Sequence, residues 1–315
     1  MTRQYDLTTG APTSSKVWIV TGASQGLGLC MALAALKAGH RVIACARNVE
    51  KAREEHPAVE AHGGRWLKLD VSSSDTTEIV RKAVEEAGGV DVVVNNAGYF
   101  QAGTIEDLTE DEILGSVSTH FMGPIRVLKG ALPSMRERKS GTVVYISSIF
   151  GFIPSPGAIG YNSTRAASDM LHETLKVELA PFNIRSIILT TGLYRTNVLK
   201  NSSMPAQGIN PSYIENTVIG PLLGTVGAMI AEPESMPGDP EKFGERVVEL
   251  VDRTGHGKDL EGHDRIFMGR DGLEMGRKKI DQLSSDLEAS KEIGASTDYE
   301  GHTGRGVAPV VEMQA

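Results

Sequence analysis

The sequence predicts an α/β fold built on one doubly wound parallel sheet, on the evidence of three observations. Short segments that are apolar almost throughout alternate with longer segments of helical spacing. Strands that are apolar throughout are typical of a sheet covered on both faces, and their alternation with helices implies parallel order with right-handed crossovers. A glycine-rich turn, TGASQGLG, joins the first apolar segment to the first helix.

The predicted strands are the short apolar segments at residues 16–20, 41–46, 65–69, 91–95, 142–147, 184–190 and 264–269. The predicted helices repeat apolar residues every three to four positions and cover residues 26–39, 74–87, 109–136, 160–180, 240–253 and 272–290. We therefore expect about seven strands with a helix after most of them.

The stretch from residue 197 to residue 240 breaks this alternation. It contains six prolines and several glycines and methionines, which predicts an insertion with one or two short helices. We expect it to form a lid over a binding site, because long loops near sites often do so. The predicted single domain then spans residues 16–296, between a polar extension at 1–15 and a flexible glycine-rich tail at 297–315.

Composition and charge exclude several classes of protein. The chain has 315 residues and a net charge of -8, which argues against nucleic acid or an acidic membrane surface as a partner. No apolar run reaches the ~18 residues of a membrane span, and the N-terminus lacks a signal-peptide core, so we expect a cytoplasmic protein. The two cysteines, Cys30 and Cys45, lie in apolar segments, which favours buried reduced thiols over a disulfide or metal site.

The glycine-rich turn has the form of a phosphate-binding loop. Glycines without a Cβ let the backbone approach a pyrophosphate, and the amides at the following helix N-terminus face its charge. Packing alone also explains some glycine-rich turns. The residues of this turn predicted to hold a dinucleotide are Gly22, Ser24, Gln25, Gly26, Leu27 and Gly28.

The end of the second strand indicates which dinucleotide binds. NAD-binding folds usually place Asp or Glu there to hold the ribose 2′-hydroxyl, whereas this chain has Ala46 and Arg47. Because no acid opposes a 2′-phosphate and Arg47 offers a charged donor, NADP(H) is favoured over NAD(H). Asp70 and Val71 follow the third strand and are predicted at the adenine, although Asp70 could equally cap a helix that begins near Ser72.

The sequence NNAG, Asn95–Gly98, after the fourth strand completes a specific pattern. With it, residues 16–200 resemble the short-chain dehydrogenase/reductase family. The resemblance implies a single Rossmann-like domain with a seven-stranded parallel sheet, a nicotinamide cofactor and an active site of Asn, Ser, Tyr and Lys. It also implies a homodimer or homotetramer formed through the helices at 109–136 and 160–180.

The resemblance carries residue roles onto this chain. Ser148 and Tyr161, thirteen residues apart, match the family's serine and tyrosine. Tyr161 suits an acid that protonates a carbonyl oxygen, and Ser148 suits a donor that polarises it. The positions expected to line the cofactor are Asn96, Ala97, Gly98, Tyr161, Arg165 and Thr196.

Three positions depart from the family's pattern. Arg165 stands where the family has Lys, His120 stands where it usually has Asn, and Thr191-Gly192 replaces Pro-Gly. Arginine keeps the positive charge but effectively never releases its proton. Our hypothesis is a proton route rewired through His120, with Arg165 as a fixed charge beside Tyr161. The alternatives are a core histidine and a surface arginine.

The segments around the predicted site are apolar. Those with large apolar side chains are Ile149, Phe150, Phe152, Ile153, Leu193, Tyr194, Met204, Leu222, Leu223 and Met229. They predict a lipophilic small-molecule substrate, such as a polyketide, terpenoid, steroid or other secondary metabolite, although they could simply cover the sheet. The sequence thus predicts an NADPH-dependent reductase, equivalently an alcohol dehydrogenase in reverse. A redox-neutral cyclase, isomerase or dehydratase on the same scaffold and a cofactor-binding regulator remain alternatives.

Overall fold

A seven-stranded parallel sheet forms the centre of the computed structural model, which describes residues 15–299 and residue 301. Its strands are β1 Val17–Val20, β2 Arg41–Ala46, β3 Arg65–Lys68, β4 Val92–Asn95, β5 Gly141–Ser148, β6 Ile184–Thr191 and β7 Arg265–Met268. The predicted fold class is confirmed, and each predicted strand ends within one residue of the observed one. Apart from residues 15, 297–299 and 301, the predicted N-terminal extension and tail lie outside the described residues.

The strand order, β3-β2-β1-β4-β5-β6-β7, reverses direction beside β1. Ile19 of β1 pairs with Ile43 of β2 on one side and with Val93 of β4 on the other. The chain runs outward from β1 through β2 to β3, then returns to lay β4 against the opposite edge of β1. Such a reversal opens a crevice at the carboxyl ends of the strands, where ligands bind in this architecture.

Helices cover both faces of the sheet. They are α1 Gly26–Lys37, α2 Val49–Glu55, α3 Ala58–Ala61, α4 Thr76–Ala87, α5 Glu110–Ser116, α6 Gly123–Arg138, α7 Ile159–Leu179, α8 Pro211–Asn216, α9 Ile219–Ala231, α10 Pro240–Asp252, α11 Arg270–Ala289 and α12 Lys291–Ala295. Helices α1 and α10 bury Met31 and Phe243 against one face. Helices α4, α6 and α7 bury side chains such as Val127 and Leu175 against the other.

The predicted helix at 109–136 is interrupted in its middle. Thr109 and Glu112 form a reciprocal capping box that starts α5. A π-helical segment, Val117–Met122, then joins α5 to α6 and carries the fully buried His120. A π turn adds a residue to the helix repeat and is often found at functional sites, and this one brings His120 toward α7.

The insertion after β6 and the two cysteines were also predicted from the sequence. The insertion after β6 contains α8 and α9, two short helices as predicted. Cys45 is buried, but Cys30 is only partly buried, so the expectation that both thiols are buried is wrong for Cys30. Burial raises the pKa of Cys30 and raises that of Cys45 to about 12.

None of the helices in the described part of the chain has the length and apolar character to cross a membrane.

Candidate active site

The carboxyl ends of the central strands open into one cleft of about 810 Å³. It gathers most of the site residues predicted from sequence, namely Gly22, Ser24, Gln25, Gly26, Leu27, Arg47, Asp70, Val71, Asn96, Ala97, Gly98, Ser148, Tyr161, Arg165 and Thr196. Two predicted site residues, Gly28 and His120, do not line it.

The glycine turn at the end of β1 has the geometry of a phosphate cradle. Gly22 and Gly26 have φ values of 64° and 55°, which residues with a Cβ rarely adopt. A Cβ on Gly22 would lie 2.9 Å from the Ala97 Cα, so the turn runs against the loop after β4. Helix α1 starts at Gly26 with neither a side-chain cap nor an acidic residue in its first turn. Its free amides fit the pyrophosphate of a dinucleotide.

Gly28 has a packing role instead. It is buried in α1, and a Cβ there would collide with the Gly22 carbonyl oxygen and lie 2.5 Å from the Asn96 side-chain nitrogen. Its absent side chain lets α1 begin directly against the turn. The structure thus gives Gly28 a packing role, and its contact with a cofactor stays a prediction.

A polar clamp holds this turn to the loop after β4. The Asn96 side chain donates to the carbonyl oxygens of Thr21 and Gly22, at 2.8 and 3.3 Å. Thr21 Oγ1 in turn accepts from the backbone amides of Asn96 and Ala97, at 2.9 and 3.0 Å. Sequence reasoning missed Thr21, although its place directly before the first glycine was the available signal.

The ends of β2 and β3 form the far part of the cleft. Arg47 is exposed there, and its side chain makes no hydrogen bond or ion pair with the described residues, so it is free to meet a ligand. Asp70 Oδ1 accepts from the Ser72 backbone amide at 3.0 Å and from its hydroxyl at 2.7 Å. Because α4 begins only at Thr76, Asp70 caps a turn and not the helix.

Ser148 and Tyr161 line the same cleft from different elements. Ser148 is the last residue of β5, and Tyr161 lies in the first turn of α7. Ser148 Oγ accepts from the Phe150 amide at 3.2 Å, which leaves the Ser148 hydroxyl hydrogen to donate to a ligand. The Tyr161 ring packs against Phe100 with ring centres 5.0 Å apart. Sequence reasoning missed Phe100, which follows the NNAG motif closely.

Arg165 lies one helical turn after Tyr161 and is buried, which excludes the surface-arginine alternative. Its guanidinium carbon lies 5.1 Å from the Tyr161 ring centre, within cation–π range. Nη1 donates to the Ile146 carbonyl oxygen at 3.1 Å and to the Tyr145 hydroxyl oxygen at 3.2 Å. Burial acts to lower the pKa of Arg165, but Tyr161 and Tyr145 raise it above its ordinary value, so Arg165 stays charged.

His120 is fully engaged inside the fold. Its Nε2 accepts from the Tyr99 backbone amide at 3.1 Å, so Nδ1 carries the hydrogen and donates to Thr164 Oγ1 at 3.0 Å. Burial, and then the charge of Arg165, hold the pKa of His120 well below its ordinary value. This geometry favours the core-histidine alternative, and the proton route through His120 stays a prediction.

The Thr-Gly pair that replaces Pro-Gly ends β6 with its own contacts. Thr191 Oγ1 donates to the Ser147 carbonyl oxygen at 2.8 Å. Gly192 passes so close to Asp271 that a Cβ would collide with its carboxylate, which accepts from the Leu193 amide at 2.7 Å. The loop that carries Thr196 into the cleft therefore starts from a fixed point.

The substrate side of the cleft is largely apolar. From the predicted set, it is lined by Phe150, Leu193, Tyr194, Met204, Leu222, Leu223 and Met229. Ile149, Phe152 and Ile153 do not line it, which corrects their prediction: Ile149 is fully buried, and Phe152 packs on Phe267 with ring centres 5.6 Å apart. Helix α9, which covers this side, contains no charged residue.

Comparisons with known proteins agree with this geometry. The model of the family described as short chain dehydrogenase matches residues 16–206. The chain belongs to this family. This short-chain dehydrogenase is 41% identical over 219 residues to the oxidoreductase claN of Passalora fulva, with 69% of this chain and 99% of claN covered. It is 33% identical to the oxidoreductase BOA17 of Botryotinia fuckeliana, over 75% of this chain and 83% of that one.

Two solved structures resemble it over most of its length. A short-chain dehydrogenase from Streptomyces avermitilis superimposes with a TM-score of 0.78 at 34% identity, over 91% of this chain and 99% of that one. An alcohol dehydrogenase from Thermococcus sibiricus, solved with 5-hydroxy-NADP, gives a TM-score of 0.60 at 25% identity, over 81% and 95%. The protein is thus an oxidoreductase of the short-chain type, from a family that binds a nicotinamide cofactor.

Proposed function

We propose that this short-chain dehydrogenase is an NADPH-dependent reductase that transfers a hydride to the carbonyl of a lipophilic small molecule, or runs the reverse oxidation. One observation carries the proposal. Ser148, Tyr161 and the buried cation Arg165 share a cleft with the phosphate cradle, and an uncharged helix covers its other side.

Each residue has a defined task in this reaction. A nicotinamide cofactor bound in the cleft supplies or accepts the hydride. The Tyr161 phenol donates a proton to the carbonyl oxygen as negative charge develops there, and the Ser148 hydroxyl donates a hydrogen bond to the same oxygen. The guanidinium of Arg165, 5.1 Å from the Tyr161 ring centre, stabilises the phenolate that remains.

The proton of Tyr161 must return by a route that does not use residue 165. Arginine keeps its proton throughout, whereas a lysine can pass one on. In the structure both nitrogens of His120 are occupied by Tyr99 and Thr164. Return of the proton from water that enters through the cleft is therefore the simplest route, and one through His120 needs that ring to break a bond first.

The preference for NADPH rests on Arg47. The last residue of β2 is the buried, uncharged Ala46, and the exposed Arg47 beside it lines the cleft without a partner among the residues that the structure describes. A guanidinium can bind a phosphate through two parallel hydrogen bonds. The 2′-phosphate of NADPH supplies that partner, and the 2′-hydroxyl of NADH does not.

The lipophilic substrate rests on the covering helix. One polar residue of α9, Thr225, lines the cleft, and the others that do so are apolar: Ile219, Leu222, Leu223, Val226 and Met229. Side chains of this kind favour a ligand with a large apolar body and few polar groups. A ketone of secondary metabolism, such as a polyketide or terpenoid, meets that description.

The test is loss of NADPH absorbance with a panel of lipophilic ketones and, as controls, small polar ones. We expect turnover with lipophilic members only, and a drop of at least about 100-fold in Tyr161→Phe, since general acid catalysis contributes roughly 10²–10⁴-fold. NADPH titration of the variant checks that cofactor binding survives. Product formed without loss of NADPH would favour a redox-neutral enzyme, and NADPH binding without any product would favour a regulator.

We also propose that two or four copies associate through the predicted helices at 109–136 and 160–180, which correspond to α5, α6 and α7. Met170 and Val177, which are 61% and 42% exposed, lie seven residues apart on α7 and so on one face of it. An apolar stripe of this kind is stabilised by burial against a second copy.

A further inference from the structure

Tyr145 is a buried phenol in the middle of the sheet. It lies three residues before Ser148 on β5 and is 1% exposed. Because side chains alternate along a strand, Tyr145 points to the face covered by α7. A buried phenol needs a partner for its oxygen, and the partner here is Arg165.

The ring of Tyr145 is held from behind. It stacks on His172 of α7 with ring centres 4.3 Å apart and planes 11° from parallel. His172 is fixed in turn, because its Nδ1 donates to the Ser168 carbonyl oxygen at 2.8 Å. Burial raises the pKa of Tyr145, with a smaller opposing effect of the Arg165 charge, so the group stays a neutral phenol. Its oxygen therefore has a fixed place.

Both hydrogens of Arg165 Nη1 are used on the β5 side. One is donated to the Ile146 carbonyl oxygen and the other to the Tyr145 oxygen. This leaves Nη2 toward Gly98 of the cleft, where an added Cβ would lie 2.4 Å from it. The guanidinium also interacts with the hydroxyl of Tyr161. The two bonds to Nη1 thus fix the direction in which the guanidinium faces the cofactor site.

We propose that Tyr145 is a positioning residue that makes arginine workable at position 165. Its oxygen holds Nη1, so that Nη2 is presented to the cofactor and the guanidinium stays beside Tyr161. An arginine side chain without this anchor has several rotatable bonds to fix on binding, which costs rotamer entropy. A lysine has no planar fork to orient and needs no such anchor. The inference rests on the proposed function, because it assigns a partner to one of its residues.

The test is a double-mutant cycle of wild type, Tyr145→Phe, Arg165→Lys and the double variant. NADPH affinity is measured by fluorescence titration and the fold by thermal unfolding. We expect Tyr145→Phe to weaken NADPH binding about 10-fold in the wild-type background, as for loss of one hydrogen bond to a charged group. In the R165K background the same change should alter affinity less than about threefold. Tyr299→Phe, at a position 90% exposed, is the matched control.

The outcomes separate this inference from the proposed function. Equal losses of NADPH affinity in both backgrounds would mean that Tyr145 acts through general packing. No loss in the wild-type background would mean that the hydrogen bond from Arg165 to Tyr145 does not contribute to NADPH binding. Either result overturns the inference while leaving the reductase in place. Wild-type protein that binds no NADPH would overturn the proposed function together with it. With a substrate that is turned over, the pH profile of reduction is measured for the same four proteins. Tyr145→Phe should shift this profile in the background that keeps Arg165 and not in the R165K background.

Discussion

Gly98→Ala tests whether the guanidinium of Arg165 occupies the place described. A Cβ on Gly98 would lie 2.4 Å from Arg165 Nη2, whereas ordinary contact starts at 3.4 Å, so the guanidinium must move by about 1 Å. The same Cβ would lie 3.2 Å from His120 Cδ2, which is fully buried and has no room to retreat. The hydrogen bonds from Nη1, now 3.1 and 3.2 Å long, would then be compressed or bent, because their acceptors lie on the side away from Gly98.

The expected cost follows from these contacts. Overpacking costs about 1–3 kcal/mol, and weakening the hydrogen bonds of a buried charge adds to it, so we expect a loss of about 2–4 kcal/mol in unfolding free energy. Urea unfolding followed by tryptophan fluorescence measures it, because Trp18 and Trp66 are both buried. If the guanidinium holds the cofactor, NADPH affinity also falls, by roughly 30-fold for each 2 kcal/mol of binding free energy that is lost.

The control is another glycine-to-alanine change. A Cβ on Gly224 in α9 would meet nothing within 4 Å, so Gly224→Ala should leave stability unchanged or raise it by up to ~1 kcal/mol through helix propensity. A Gly98→Ala variant with wild-type stability and NADPH affinity would refute the placement of Arg165, and with it the account of the buried cation.

Two further predictions concern charge. Arg47→Ala should weaken NADPH binding roughly 10- to 100-fold, as expected for the loss of charged hydrogen bonds to a phosphate, and should change NADH binding less than about threefold. Fluorescence titration of both cofactors checks this, with Arg53→Ala as the control. Equal effects on NADPH and NADH binding would contradict it. Burial lowers the pKa of His172 to about 4 from its ordinary value of about 6.5. At a pH below 6.5 the unfolded chain therefore binds a proton at this residue and the folded chain does not, so the unfolding free energy falls as the pH is lowered from 6.5 to 4. His172→Phe, which keeps an aromatic ring on Tyr145, should reduce that loss of unfolding free energy by up to about 3 kcal/mol. Urea unfolding of the variant and the wild type at pH 7 and pH 4 measures it. If the two proteins differ in unfolding free energy by the same amount at both pH values, the prediction is contradicted.

The fold could be predicted because each strand carries its own local signal. Val92–Asn95 is apolar up to its last residue, and in Ile184–Thr191 the apolar run Ile187–Leu189 precedes two threonines. Such runs, and the polar residues that end them, place the strands to within one residue. The cofactor half of the cleft follows from the same order. The glycine turn, Asn96 and Arg47 each come directly after a strand, and in a parallel sheet those ends lie together.

What could not be predicted depends on the direction of single side chains. Nothing local shows that a π turn directs His120 into the core, or that Arg165 bonds to Tyr145 and lies buried. The apolar run after Ser148 failed as a guide for a similar reason. A 3-10 turn, Ile149–Gly151, sends Ile149 inward, and Phe152 packs against Phe267 away from the cleft.

The central claim is that a buried guanidinium, in place of an amine, supports proton donation by Tyr161 while the cofactor transfers a hydride. The most direct measurement uses NADPH deuterated at one or the other face of nicotinamide carbon 4, with a lipophilic ketone that the enzyme consumes. We expect one of the two cofactors to deliver its deuterium to the alcohol carbon, with one NADP⁺ formed for each product molecule. Product that carries no deuterium from either cofactor, or that forms without oxidised cofactor, would contradict the account.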